Sequence, residues 1–173
     1  MNTYHTPVML AECVAWLQPR AGGVYVDATL GGGGHTLGML KAAKGIMVYG
    51  FDQDADALAE AKERLSEYGN SCELIGTNFS RLRTELALRK VKSIDGALFD
   101  LGVSSYQLDE QSRGFSFDGD APLDMRMDRG QAYTAADAVH TPTQAELTRM
   151  FKEYGEELNA GRIAANIVTE RVR

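Results

Sequence analysis

The stretch DATLGGGGH, residues 27–35, sets four consecutive glycines behind an apolar run and closes them with His35. Each glycine costs roughly 0.5–1 kcal/mol against alanine inside a regular element, so the run needs a use. One use is a turn whose backbone lies directly against a ligand. Asp52 follows about twenty positions later, at the end of a second apolar run. An acid placed there can accept hydrogen bonds from both hydroxyls of an adenosine ribose. Two further runs end in residues that suit the same ligand. Asp100 closes ALFD, where an open α/β sheet has its ligand crevice, and Phe79 closes CELIGTNF, where its ring could stack on adenine. Each residue also has a plainer reading. The glycines could be a tight turn, Asp52 a helix-start acid (a role Asp54 fills better), Asp100 a turn cap and Phe79 a core aromatic.

The spacing narrows the ligand. A dinucleotide fingerprint needs a third glycine, and the registers that start at Gly31 and Gly32 place Thr36 and Leu37 there. No phosphate-cradling G-x-x-x-x-G-K-[ST] occurs. A ligand with an adenosine but no pyrophosphate fits better. S-adenosylmethionine is one, its amino-acid tail meeting the loop backbone. On this reading a Cβ branch at Gly33 would intrude on the ligand while leaving the fold intact.

Such a site needs a parallel sheet to carry it. VYVDAT (24–29), GIMVYGFD (45–52), CELIGTNF (72–79) and DGALFDLG (95–102) predict four strands, apolar enough to be buried on both faces. Between them lie helical patterns. Thr6 and Pro7 predict a start for a helix lined by Val8, Met9, Cys13, Val14 and Leu17. Thr36–Lys44 predicts a second, Asp54 caps a third through Tyr68, and Ser80 caps a fourth carrying Leu82, Leu86 and Leu88. Strand–helix alternation with short links predicts an α/β doubly wound sheet. After residue 103 the periodicity stops, and residues 104–130 predict an active-site loop or lid, with Asp124 and Asp128 as weaker catalytic candidates. TPTQ (141–144) predicts a cap with Pro142 at the first helical position and Gln144 at the capping-box position, the helix stopping at Gly155. A last helix is predicted from Glu156 onward.

The bulk composition is that of a soluble globular domain. The chain has 173 residues, 44% hydrophobic and 24% charged, with no apolar run long enough for a membrane span and no leader-like start. Two isolated cysteines, Cys13 and Cys72, read as reduced thiols, and no metal site is predicted. A net charge of −6 argues against a free-standing nucleic-acid binder. Arg81, Arg83, Arg89, Lys90 and Lys92 could still give one basic edge for phosphate contacts, or form an ordinary solvated helix face.

HTPVML (5–10), DATLGGGGH, FDQD (51–54), NFS (78–80), DLGVSSYQLD (100–109), RGFSF (113–117) and PLDMRMD (122–128) together resemble the MraW/RsmH family. These are bacterial S-adenosylmethionine-dependent methyltransferases that modify N4 of a cytosine in small-subunit (16S) ribosomal RNA. The resemblance runs along essentially the whole chain. It implies a Rossmann-like class I methyltransferase sheet, incomplete in this chain, with a helical insert at the C-terminal end. It implies cofactor contacts at Gly33, Gly34, His35, Asp52, Phe79, Asp100 and Gln107, of which His35 and Gln107 come from the resemblance alone. Asp100 is the catalytic candidate. The implied organisation is a cofactor-binding half over 1–103, the loop over 104–130 and the start of the insert over 131–173. The implied partner is the small ribosomal subunit in the cytoplasm, with no membrane; a homodimer is compatible with the sequence. The family's sheet has seven strands, so this chain is expected to be a fragment or a truncated member that exposes an apolar sheet edge. A non-catalytic cofactor- or RNA-binding fragment and a nucleotide-dependent oxidoreductase are the competing readings.

Overall fold

The computed structural model describes residues 7–171. Helix α1 (Leu10–Leu17) leads into strand β1 (Val24–Asp27), followed by α2 (Gly34–Ala42), β2 (Met47–Asp52), α3 (Ala55–Arg64), β3 (Cys72–Gly76), α4 (Leu82–Leu88) and β4 (Gly96–Leu98). The four strands form one sheet in the order β3-β2-β1-β4, all parallel. Val24 pairs with Met47, Tyr25 with Gly96 and Val48 with Cys72.

Alternation along the strands divides the core. Tyr25 and Val48 join Leu30, Met39, Leu40, Ala61 and Leu65 on the face covered by α2 and α3, with Val14 and Leu17 of α1 packed against them. Val26, Phe51 and Ile75 join Leu86 of α4 on the other face. Each such side chain contributes about 1.5–3 kcal/mol by leaving water. Helices on both faces make this a doubly wound α/β sheet. Its order reverses between β1 and β4, and that switch point is where open sheets of this kind hold ligands.

The β4 edge has no strand partner among the described residues. Beside it Met9, Cys13, Trp16, Leu17, Ala97 and Leu98 line an apolar groove, and Trp16 is almost fully exposed.

The first compact unit ends at Ser105 and a second starts at Tyr106. The helix at the boundary, α5 (Ser105–Asp109), is followed by a 3-10 turn at Gln111–Arg113, then α6 (Ala135–His140), α7 (Gln144–Gly155) and α8 (Ala160–Glu170). In the second unit Arg113 is fully buried and donates to the carbonyls of Arg126 and Met127. This lets a segment of low periodicity keep a fixed path.

Local chemistry moves several predicted boundaries. All four strands are shorter than predicted: β1, β3 and β4 end earlier, and β2 keeps its predicted end at Asp52 but starts at Met47, after the turn at Lys44 and Gly45. Helix α1 starts at Leu10 behind a left-handed Met9, and Thr6 lies outside the described residues. Helix α2 starts at Gly34, two residues before Thr36, so the glycine run supplies its first turn. Helix α3 ends at Arg64, and Ser66–Tyr68 is 3-10. Asn78, not Ser80, caps the turn before α4, and Leu88 is exposed. Helix α6 was not predicted; Thr134 and Asp137 form its capping box. The box of α7 is Thr143 with Glu146, two residues beyond the predicted one. Glu156 takes a left-handed cap after α7, and α8 starts only at Ala160. No helix among the described residues is long and apolar enough to cross a membrane.

Candidate functional site

The glycine run connects the end of β1 to α2, and two of its members, Gly31 and Gly33, have left-handed backbones at φ 51° and 79°. The Gly31 amide donates to Asp52 Oδ2 at 2.8 Å, and the Asp54 amide donates to Oδ1 at 2.9 Å. Asp52 therefore ties the loop to the carboxyl end of β2. Burial pushes its carboxyl above the ordinary aspartate range, with those amides pulling it back.

The four glycines face different surroundings. A Cβ on Gly31 would meet open space. One on Gly33 would lie 3.0 Å from Leu65 Cδ1 and 3.3 Å from Ala61 Cβ, both on the α3 side. One on Gly32 would collide with the Glu60 carboxylate, and one on Gly34 with the Pro7 ring. The expectation that a branched side chain at Gly33 would leave the fold intact is corrected: its left-handed backbone and the packing of α3 both require a bare residue there.

His35 is buried, and its Nε2 lies 3.0 Å from the Val8 carbonyl. A carbonyl only accepts, so this nitrogen carries the proton. The imidazole thus straps the segment before α1 onto the first turn of α2. What His35 and Gly34 offer a ligand is their main-chain amides, which sit in that first turn and receive no partner from the helix itself.

Asp100 follows β4 by two residues and is exposed. Its amide donates to the Thr29 hydroxyl at 2.7 Å, across the switch point from the glycine loop. Phe79 opens the 3-10 turn after β3 and stands edge-to-face with Phe99, centroids 5.7 Å apart. The first unit thus assembles the glycine loop, Asp52, Phe79 and Asp100 along the carboxyl edge of one sheet. Gln107 is buried in α5 and belongs to the second unit.

The weaker candidates have structural duties. Asp124 is gripped by Arg126 at 2.8 and 2.7 Å, and that guanidinium holds its carboxyl down at about 2. Asp128 caps a turn by accepting from the Gly130 amide. Arg89 leaves the expected basic edge, because Glu73 and Glu85 hold its guanidinium at 2.6 and 2.7 Å. Among the described residues no cluster of His, Cys, Asp or Glu could hold a metal ion.

The sequence reading passed over Asp27. It is fully buried at the end of β1 and accepts from the Thr36 hydroxyl at 2.8 Å. An acid closing an apolar strand directly before the glycines was the available signal. Burial pushes its carboxyl up, against the pull of Thr36 and His35. A folded-state pKa above the unfolded value of about 3.9 adds stability that is complete below that value. That stability is lost as pH rises through the folded pKa. Asp27→Asn keeps an acceptor for Thr36 and abolishes the titration. Urea unfolding between about pH 4 and 7 should show wild type losing stability relative to the variant as pH rises. Parallel curves would refute this account of Asp27.

Comparison with known proteins gives the chain its family. The profile of the MraW methylase family matches residues 2–173. The chain belongs to the MraW methylase family. Two relatives are each named "Ribosomal RNA small subunit methyltransferase H". The one from Geotalea uraniireducens is 51% identical over 170 residues, covering 97% of this chain and 54% of its own. The one from Clostridioides difficile is 50% identical over 173 residues, covering 99% and 55%. The chain spans about half the length of the curated relatives it matches. A solved structure of an rRNA methylase from Streptococcus thermophilus overlaps 59% of this MraW-family chain and 58% of its own, at 28% identity and a TM-score of 0.45. The fold assignment rests on the strand pairing above, not on that overlap. Membership of a methylase family sets aside the oxidoreductase reading, for which the glycine spacing was already wrong.

Proposed function

We propose that this chain is the cofactor-binding half of an S-adenosylmethionine-dependent methyltransferase acting on N4 of a cytosine in 16S ribosomal RNA of the small subunit, in the cytoplasm. The observation that carries the reading is the latch of the glycine loop onto Asp52 at the carboxyl edge of the sheet, in a chain about half identical to proteins named ribosomal RNA small subunit methyltransferase H. The residues fit the ligand. Gly31 borders open space, the first-turn amides of α2 suit a carboxylate, and Phe79 is partly exposed beside Asn78 and Gln53.

S-adenosylmethionine, when bound, supplies an electrophilic methyl group on a sulfonium. The chain's own task is positioning. Asp52 has lone-pair capacity beyond that spent on backbone amides, and it accepts from the ribose hydroxyls. Gly34 and His35 hold the carboxylate of the amino-acid tail through their amides. Phe79 flanks the adenine. Asp100 accepts a hydrogen bond from the exocyclic amine of an unstacked cytosine. That localises a lone pair otherwise delocalised into the ring and raises the electron density on nitrogen. No strong base is required, because the methylated nitrogen loses its proton readily.

Asp100→Asn keeps an acceptor and removes the charge, so it should slow single-turnover methyl transfer about tenfold while barely changing RNA affinity. The assay uses assembled small subunits, labelled cofactor at saturation and a protein of the relatives' full length. An unchanged rate would leave Asp100 as a cofactor contact at most. Sedimentation of the same protein with and without ligand distinguishes a monomer from the homodimer.

A further inference from the structure

We propose that Phe79 and Phe99 form a right-angled aromatic corner that seats the adenine ring, with Phe99 as its second wall. This rests on the S-adenosyl reading above and adds a residue to it. The two rings meet with centroids 5.7 Å apart and planes at 87°. They come from connections that follow β3 and β4, the two outer strands of the sheet. Their contact therefore joins the carboxyl ends of opposite edges, on the side where the glycine loop and Asp52 also end.

Both rings stay accessible, Phe79 at 38% and Phe99 at 50%. A lone exposed phenylalanine needs no explanation, but two that touch each other at a right angle and both stay partly exposed form a surface for a planar partner. A base stacked on one face of such a pair turns its edge toward the face of the other. Aromatic faces are electron-rich and ring edges electron-poor, so both contacts are attractive at once. A ribose, a phosphate or an aliphatic chain has no flat face with which to use the corner.

Both walls are braced from below. Asn78 Nδ2 donates to Gln53 Oε1 at 2.9 Å, and Asn78 Oδ1 accepts from the Ser80 amide at 2.9 Å. Phe79 is thereby held in register with Asp52, the neighbour of Gln53. Phe99 directly precedes Asp100, whose amide is fixed on Thr29. The corner is thus built before a ligand arrives, and its geometry is linked to the ribose-binding acid on one side and to the proposed catalytic acid on the other.

The test is calorimetry and ligand-observed NMR of the chain with S-adenosylhomocysteine. Binding to wild type should move the adenine H2 and H8 resonances upfield through the ring currents of the two walls. Phe99→Leu keeps bulk and loses the aromatic face. It should weaken binding about three- to tenfold, the size of one edge-to-face contact, and reduce the upfield movement. Phe99→Tyr keeps the face and should restore both. The ring-current shift separates an aromatic wall from a residue that merely supports the loop. Unchanged affinity and unchanged adenine shifts in Phe99→Leu would overturn the corner and leave the cofactor reading intact. Failure of wild type to bind would overturn the cofactor reading and the corner with it.

Discussion

Gly33→Val should destabilise the chain by about 2–5 kcal/mol, combining a left-handed backbone penalty of roughly 1–2 with overpacking of roughly 1–3. Gly33 sits at φ 79°, where a β-branched residue is strained before any neighbour is considered. Its Cβ would then press on Leu65 and Ala61, and both are buried in the cluster beneath α3. Neither can yield without moving the helix that covers β2. Gly31→Ala is the comparison. Its backbone is also left-handed, but its Cβ meets open space, so only the backbone penalty applies. Urea unfolding of both variants checks the difference. If Gly33→Val is no less stable than Gly31→Ala, packing against α3 is not what keeps residue 33 bare.

Asp52→Ala should weaken S-adenosylhomocysteine binding about a hundredfold or more, because hydrogen bonds to a charged group are worth about 1.5–3 kcal/mol each and several are lost together. The carboxylate already holds the Gly31 and Asp54 amides, so removing it loosens the glycine loop and deletes the proposed ribose acceptor in one step. Asp52→Asn should fall between, since its one oxygen can serve one amide while its NH2 faces the other donor. Because burial raises the pKa of Asp52, the carboxylate gains its proton earlier on acidification than an ordinary aspartate. Ligand affinity should therefore begin to fall while exposed carboxylates are still charged. Calorimetry alongside thermal unfolding of the free chain separates the two duties. A variant that loses stability but binds normally would show Asp52 to be a loop latch only.

Much of the fold was legible because it is written in short-range patterns. Apolar runs such as MVYGFD and the acids that end them are local signals, and they gave four parallel strands and the side of the sheet that carries the site. The positions of Asp52, Phe79 and Asp100 at that carboxyl edge were legible for the same reason. The use of each glycine was not. Gly33 and Gly34 are bare because Leu65, Ala61 and Pro7 lie against them, and no local pattern reports which distant side chain will arrive. The imidazole of His35 binding Val8, the Glu60 carboxylate over Gly32 and the capture of Arg89 by Glu73 are likewise products of tertiary approach. Helix α6 was missed because six residues hold too few periods to register, while its Thr134–Asp137 cap was there to be read.

The sheet order also decides when the site can exist. The pairing of β1 with β2 and of β2 with β3 joins segments adjacent in the chain, whereas Asp100 meets Thr29 across 71 residues. Closing so long a loop costs entropy that neighbouring pairings do not, so contacts of that span form slowly. Helices α7 and α8 are consecutive in the chain and pack on each other, and α7 carries its own capping box, so they meet no such delay. The crevice between β1 and β4 therefore appears only with the least local strand pairing among the described residues. A nascent chain can hold its glycine loop, and even tie it to Asp52, well before it has a place to put a ligand. A ligand that fills that crevice binds only the folded first unit and so clamps its least local strand pairing.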